Sequence, residues 1–187
     1  VRVNFVGELG WEIHSPIEMQ NYIFDRLMEA GTDLGLKPFG IRAMDSLRIE
    51  KSYRLIGTEL SIEYAGYESG LDRFIHPNKG EFIGRDALVE WREKGFENSF
   101  VTLEVHDVDD ADALGNNPIY SEGEVIGRAT GGNYGFRTQK SLALAMVRPK
   151  YAEIGSKLQM DILGKMHDVT VIPESPYDPD NLKLRDQ

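Results

Sequence analysis

The sequence predicts an α+β chain whose second half is a small antiparallel β-barrel or sandwich. Three observations predict it. At 187 residues the chain is long enough for one large domain or two small ones. Its helical patterns all fall in the first hundred residues. From Asn98 onward the texture changes to five or six short alternating runs with no helix between them, the mark of a barrel or sandwich rather than of a parallel sheet. With 41% hydrophobic, 10% aromatic and 28% charged residues the composition is that of a globular protein.

The first elements are expected to be two short strands, 1–6 and 11–14, joined by Gly7-Glu8-Leu9-Gly10 as a hairpin. Ser15-Pro16-Ile17-Glu18 then supplies a Ser N-cap, a Pro at the first helical position and a Glu three residues after the cap. The helix that follows carries Ile17, Ile23, Leu27, Ala30 and Leu34 as an apolar stripe and is expected to pack on a sheet. After Pro38-Phe39-Gly40 a second helix is expected over 41–53, with Ile41, Met44 and Leu47 on one face and Arg42, Asp45, Arg48 and Glu50 as its polar residues. Arg48 and Glu50 read most simply as an ion pair on that helix.

Residues 55–82 show no sustained period and read as a long ordered connection of the kind that often carries function. A short amphipathic helix with Ala87, Leu88 and Trp91 on one side follows Gly84 and stops at Gly95. The domain boundary is placed there, giving 1–96 and 97–187. Strands are expected over 100–106, 119–121, 124–127, 141–147, 157–163 and 167–172, with Glu122-Gly123 and Gly164-Lys165 as turns. Gly131-Gly132-Asn133 reads as a further turn between strands, Asp107–Asp112 as a solvated acidic loop, and the proline-rich 173–179 as an extended surface segment.

The charge of −10, from 21 Lys and Arg against 31 Asp and Glu, argues against nucleic acid and anionic membrane as partners. Without cysteine there is no disulfide, thiolate metal site or cysteine nucleophile. His14, His76, His106 and His167 lack ligand spacing, so no metal site is expected, and no P-loop, G-x-G-x-x-G, H-E-x-x-H or G-x-S-x-G occurs. The start at Val1, already alternating, suggests a chain that begins inside a domain.

Four longer patterns remain, in order along nearly the whole chain. Phe5-Val6-Gly7-Glu8-Leu9-Gly10-Trp11-Glu12-Ile13 resembles the Y-T-G-E-D-G-x-E-I segment of the glycine-cleavage T-protein (aminomethyltransferase) family. Pro38-Phe39-Gly40 with Asp45-Ser46-Leu47-Arg48-Ile49-Glu50 resembles that family's R-D-x-L-R-L-E helix. Glu68-Ser69-Gly70-Leu71 with Phe82-Ile83-Gly84-Arg85-Asp86-Ala87-Leu88 resembles its E-x-G-L…F-x-G-K-x-A-L stretch. Gly127–Tyr134 with Ser141–Val147 resembles G-x-x-T-S-G…I-A-L-A-x-V in its terminal barrel. Within the superfamily, Val6–Glu12 and Ser175-Pro176-Tyr177-Asp178-Pro179 look most like the folate-binding half of dimethylglycine and sarcosine dehydrogenases.

The resemblance implies the C-terminal part of a folate-binding α+β domain followed by a β-barrel, with tetrahydrofolate as cofactor. It further implies FAD confined to an upstream flavin domain, a small N-methylated amino acid as substrate, and 5,10-methylenetetrahydrofolate as product, in the bacterial cytoplasm or the mitochondrial matrix. Alternatives are a stand-alone glycine-cleavage-type aminomethyltransferase and a non-catalytic folate-binding or scaffold module. Glu12 matches the glutamate that holds the pterin; a carboxylate accepts two parallel hydrogen bonds from a ring N–H and an exocyclic amino group. Its side chain is expected to point inward from its strand. Glu8, Tyr177 and Arg42 are further binding candidates. Arg42 lies two positions before the family's ligand-contacting helix arginine, whose place Met44 takes, and two positions turn a side chain about 200°. The family's catalytic aspartate lies upstream of the matched region, so the resemblance assigns no catalytic residue here.

Overall fold

Six strands close into one antiparallel barrel in the computed structural model, which describes residues 1–108 and 110–185. They are β1 (Ser99–Val105), β2 (Pro118–Ser121), β3 (Glu124–Gly135), β4 (Lys140–Val147), β5 (Lys157–Ile162) and β6 (Lys165–Ile172). Their order around the barrel is β1-β4-β3-β2-β5-β6, and β6 returns to β1 with Leu103 opposite Val171, so no open edge remains. Leu103, Ile119, Ala143, Ala145, Met160 and Val169 belong to the interior cluster. Strand β4 is buried on both faces: Ala143, Ala145 and Val147 fill the barrel, while Leu142, Leu144 and Met146 form a second cluster with Phe100 and Ile49. That outer cluster seats the rest of the chain.

Upstream lie α1 (Gln20–Gly31), α2 (Ile41–Ile49) and α3 (Arg85–Lys94), and α4 (Leu182–Arg185) follows the barrel. Helix α3 ends at Gly95 as its sequence requires, and residues 55–82 form the irregular connection, with short 3-10 turns at Asp72–Phe74 and Pro77–Lys79 and an isolated bridge between Ile56 and Leu60. No helix among the described residues is long and apolar enough to cross a membrane.

Several expectations are corrected. Residues 1–14 form a loop instead of a hairpin of strands; one reciprocal backbone pair joins Val1 and Glu12, at 2.9 Å in both directions. Two short strands without a third to pair with are marginal in water, and none is beside them. Helix α1 begins after a 3-10 turn at Ile17–Met19, with no side-chain cap from Ser15, and does not pack broadly on any strand among the described residues: Ile17, Tyr22, Phe24 and Leu27 are exposed. Helix α2 stops at Ile49, and its buried side is the polar one. Ser46, Arg48 and Ile49 are buried while Ile41 is 76% exposed: Ser46 Oγ donates to the Tyr134 carbonyl of β3, Arg48 is matched by Asp45, the Tyr53 carbonyl and Glu59, and Ile49 joins the apolar cluster on β4.

The glycines at 131 and 132 are not a turn. Gly131, Gly132 and Asn133 pair with Leu144, Ala143 and Leu142 inside β3, past a bulge at Ala129–Gly131. A side chain at Gly132 would meet Ala113 at 2.7 Å, so this stretch admits only the smallest residue while continuing the ladder. The hairpin reverses at 136–139 instead. The β5–β6 turn is centred on Leu163-Gly164, one residue earlier than expected. In the acidic stretch 107–112, Asp109 lies outside the described residues.

Candidate functional site

The C-terminal end of α2 is where the barrel, the N-terminal loop and the segment after β6 converge, and it is built from buried charges. Glu50, Ser52 and Glu59 are fully buried, and Arg48 and Lys51 nearly so. Burying an ion is costly unless its partners are complete, and here they are. Arg48 donates to Asp45 Oδ1 at 2.7 Å and to the Tyr53 carbonyl at 3.1 Å, and lies 3.8 Å from Glu59. Glu50 accepts from the backbone N–H groups of Arg137 (2.7 Å) and Thr138 (2.9 Å) and from Arg137 Nε. The expected Arg48–Glu50 pair on one helix is therefore corrected: each binds elsewhere, since two positions along a helix do not share a face.

Glu59 accepts from Thr130 Oγ1, from the Leu55 N–H at 2.8 Å and from Thr58 Oγ1 at 2.7 Å. Burial acts to raise its pKa, but these hydrogen bonds outweigh it and hold the carboxyl below the ordinary glutamate value. Lys51 Nζ donates to the carbonyls of Tyr177 and Asp178 and to Asn181 Oδ1, at 3.1, 2.7 and 2.9 Å. Burial pushes its pKa down; Asp178 opposes this, Arg137 adds to it and Glu8 opposes it.

Onto this seat the chain brings two of the residues singled out from the sequence. Gly7 adopts φ 77°, and a Cβ there would collide with Lys51 Cγ, so the loop presses against the turn that follows α2 and Glu8 leaves it toward the strap 173–179. Tyr177 Oη donates to Glu8 Oε1 at 2.7 Å across 169 positions of sequence. Its N–H meets the Glu50 carbonyl at 3.1 Å, and Ser175 ties the strap to Lys51 and Ser52. The hydrogen bond to Glu8, followed by burial, raises the Tyr177 pKa.

Arg137, which sequence reasoning missed, completes the cluster. Its Nη1 donates to Glu8 Oε1 at 2.9 Å and to the Val6 carbonyl at 3.0 Å, its Nη2 donates to the Leu47 carbonyl at 2.9 Å, and its guanidinium lies 3.7 Å from the Tyr177 ring centroid. A single arginine in a turn with no periodic pattern gives no signal by itself.

The other two candidates stand apart. Arg42 is exposed and lines a shallow cleft of ≈310 Å³ with Ala43, Ser46, Leu47, Asn133 and Phe136. Glu12 also faces solvent, with its side chain 57% exposed and its carboxylate 3.2 Å from His14 Nε2. The expectation that it points inward is corrected, because the hairpin that would have aimed it does not form. A wider cleft, ≈790 Å³, lies elsewhere, between Tyr64 and Phe96 on one side and Ile126, Arg128, Met146 and Arg148 on the barrel. Arg128 and Arg148 are already matched there to Glu63 and Glu124.

Comparison with known proteins gives two family matches in tandem: the GCVT N-terminal domain over residues 1–79 and the glycine cleavage T-protein C-terminal barrel domain over residues 98–178. The mitochondrial dimethylglycine dehydrogenase of Rattus norvegicus is 38% identical over 175 residues, which are 93% of this chain and 20% of that protein. The aminomethyltransferase of Desulfitobacterium hafniense is 35% identical over 176 residues, 94% of this chain and 48% of that one. Among solved structures, glycine cleavage system aminomethyltransferase T from Bartonella henselae shares the fold, with a TM-score of 0.85 at 23% identity over 95% of this chain and 49% of that one. The chain thus spans about a fifth of the dehydrogenase and about half of the aminomethyltransferases.

Proposed function

This chain belongs to the glycine-cleavage T-protein family, and we propose that it supplies one wall of a tetrahydrofolate site in a one-carbon transfer protein of the dimethylglycine dehydrogenase kind. The observation that carries the reading is the meeting of the N-terminal motif with the C-terminal strap at Glu8 and Tyr177. Two family motifs that lie at opposite ends of the sequence form one polar cluster, as a ligand wall requires.

The residues present suit the edge of a pterin. Its ring N–H and exocyclic amino group are donors, and this loop supplies the acceptors Glu8 and Glu12, the latter engaged only by His14 among the described residues. Tyr177 adds a half-buried aromatic ring beside Glu8. Tetrahydrofolate, when bound, accepts the one-carbon unit. The part of these residues is to bind and orient it, since no residue here matches the family's catalytic aspartate. Oxidation of an N-methylated amino acid on FAD belongs, in this reading, to a domain outside the chain, in the mitochondrial matrix or a bacterial cytoplasm. The boundary near residue 97 separates the folate-binding part from the barrel.

Calorimetric titration of folinic acid into the full-length protein tests this. Binding is expected, and Glu12→Ala and Glu8→Ala are each expected to weaken it by about 1–3 kcal/mol, the scale of one lost charged hydrogen-bond partner. Absence of binding overturns the folate reading. A second reading, a stand-alone aminomethyltransferase, is favoured by the larger share of the bacterial enzymes that this chain covers. The residues upstream of Val1 decide between the two: a flavin-binding G-x-G-x-x-G supports the first, and a short upstream segment the second.

A further inference from the structure

We propose that Arg137 is the positioning residue of the ligand wall: it fixes Glu8 and Tyr177 as one unit that offers a ligand a single carboxylate oxygen beside an aromatic ring. The inference rests on the folate reading above and adds to it both a residue and a geometry. Arg137 touches every segment that meets here. Its Nε is held by Glu50 of the α2 end, its Nη2 by the Leu47 carbonyl, and its Nη1 by Glu8 and the Val6 carbonyl of the loop. Its guanidinium carbon lies over the ring of Tyr177 of the strap.

Glu50 is fully buried while Glu8 is 42% exposed, so the guanidinium is anchored on its inner side and presents the outer carboxylate. Lysine has neither the fork nor the flat face to make these contacts together. Glu8 Oε1 accepts from both Arg137 Nη1 and Tyr177 Oη, which occupies its two lone pairs. Oε2 takes part in neither bond. Glu8 is therefore set to accept from a ligand N–H through Oε2 alone, rather than through both oxygens in the parallel pair that an unengaged carboxylate accepts. Glu12 provides the internal contrast. Four residues along the same loop, and bonded to no arginine among the described residues, its carboxylate lies in solvent against His14.

Folinic acid titrations with Arg137→Lys, Glu8→Gln and the double variant in the full-length protein test the assignment, with urea unfolding run in parallel. Arg137→Lys is expected to fold and to bind about tenfold more weakly, and Glu8→Gln to show a similar loss. The double variant should bind no more weakly than the weaker single variant, because both substitutions break one unit. A merely structural role for Arg137 would lower the unfolding midpoint without this coupling. Wild-type affinity in Arg137→Lys, or losses that multiply to about a hundredfold, overturns the assignment and leaves the folate reading standing. No binding by the wild type removes both. Should Arg137→Lys not fold, Arg137→Met combined with Glu50→Gln removes both charges of the buried pair and is read by the same criteria.

Discussion

The barrel and the hundred residues before it are made of similar amino acids, yet they treat their apolar side chains differently. Between residues 99 and 172 nearly every alternate strand residue is buried, and the strands satisfy one another around a closed ring. Before residue 99 only Ile49, Ala65 and Tyr67 are buried hydrophobics, while Trp11, Ile17, Tyr22, Phe24, Leu27, Phe39 and Ile41 remain exposed. Most of the buried polar residues lie in this first part, among them Arg48, Glu50, Lys51, Glu59 and Glu68. A closed barrel completes its own core, whereas α1 leaves most of its apolar side chains exposed. What holds the first part to the barrel is a seam of buried charge and hydrogen bonds around the end of α2, with one apolar patch centred on Ile49.

The contrast can be broken at the seam first. Glu50→Ala leaves the Arg137 guanidinium and two backbone N–H groups without their buried acceptor and is expected to cost about 4 kcal/mol in urea unfolding. A loss under 1 kcal/mol would mean the seam contributes little. Leu103→Ala, inside the barrel, is expected to cost about 3 kcal/mol, against less than about 0.5 kcal/mol for Leu27→Ala on α1. Equal losses would show α1 to be buried in solution and would erase the comparison.

Gly7→Ala places a Cβ against Lys51 in a left-handed backbone position and should cost about 2 kcal/mol while leaving the barrel's hydrogen-exchange protection unchanged.

Acid sharpens the picture further. Glu59 has a lower pKa folded than unfolded, so unfolding takes up a proton; the stabilisation is complete above the ordinary value of 4.5 and is lost as the pH falls below it. Glu59→Gln should therefore flatten the fall in stability below about pH 4.5, where one group contributes at most about 1.4 kcal/mol per pH unit. An unchanged acid limb would show that Glu59 is not held ionised. The smallest effect is expected at Glu12, where Glu12→Gln should alter stability by less than about 0.5 kcal/mol.

Most of the barrel was legible because strand pattern and turn chemistry are local: Ser-Leu-Ala-Leu-Ala-Met-Val at 141–147 alternates its two buried faces in the sequence itself. The same habit of reading glycines as turns misplaced the end of β3, since only the neighbouring Ala113 reveals why residue 132 must be small. The site was half legible. Glu8 and Tyr177 came from motif likeness, while Arg137 and its bond to Glu50 did not, because a partner 87 positions away leaves no local trace.

By itself the sequence determined the α+β class, the strand alternation, the stop of α3 at Gly95 and, through four ordered motifs, the family. The tertiary structure alone decided that Ser46 and Arg48 of α2 are buried, that Glu8 and not Glu12 meets Tyr177, and that Arg137 binds them both. The physical reason is one of range. Periodicity and turn residues act between neighbours a few positions apart, whereas a buried charge is tolerated only where distant segments complete its hydrogen bonds, and closure of the barrel sets which segments those are.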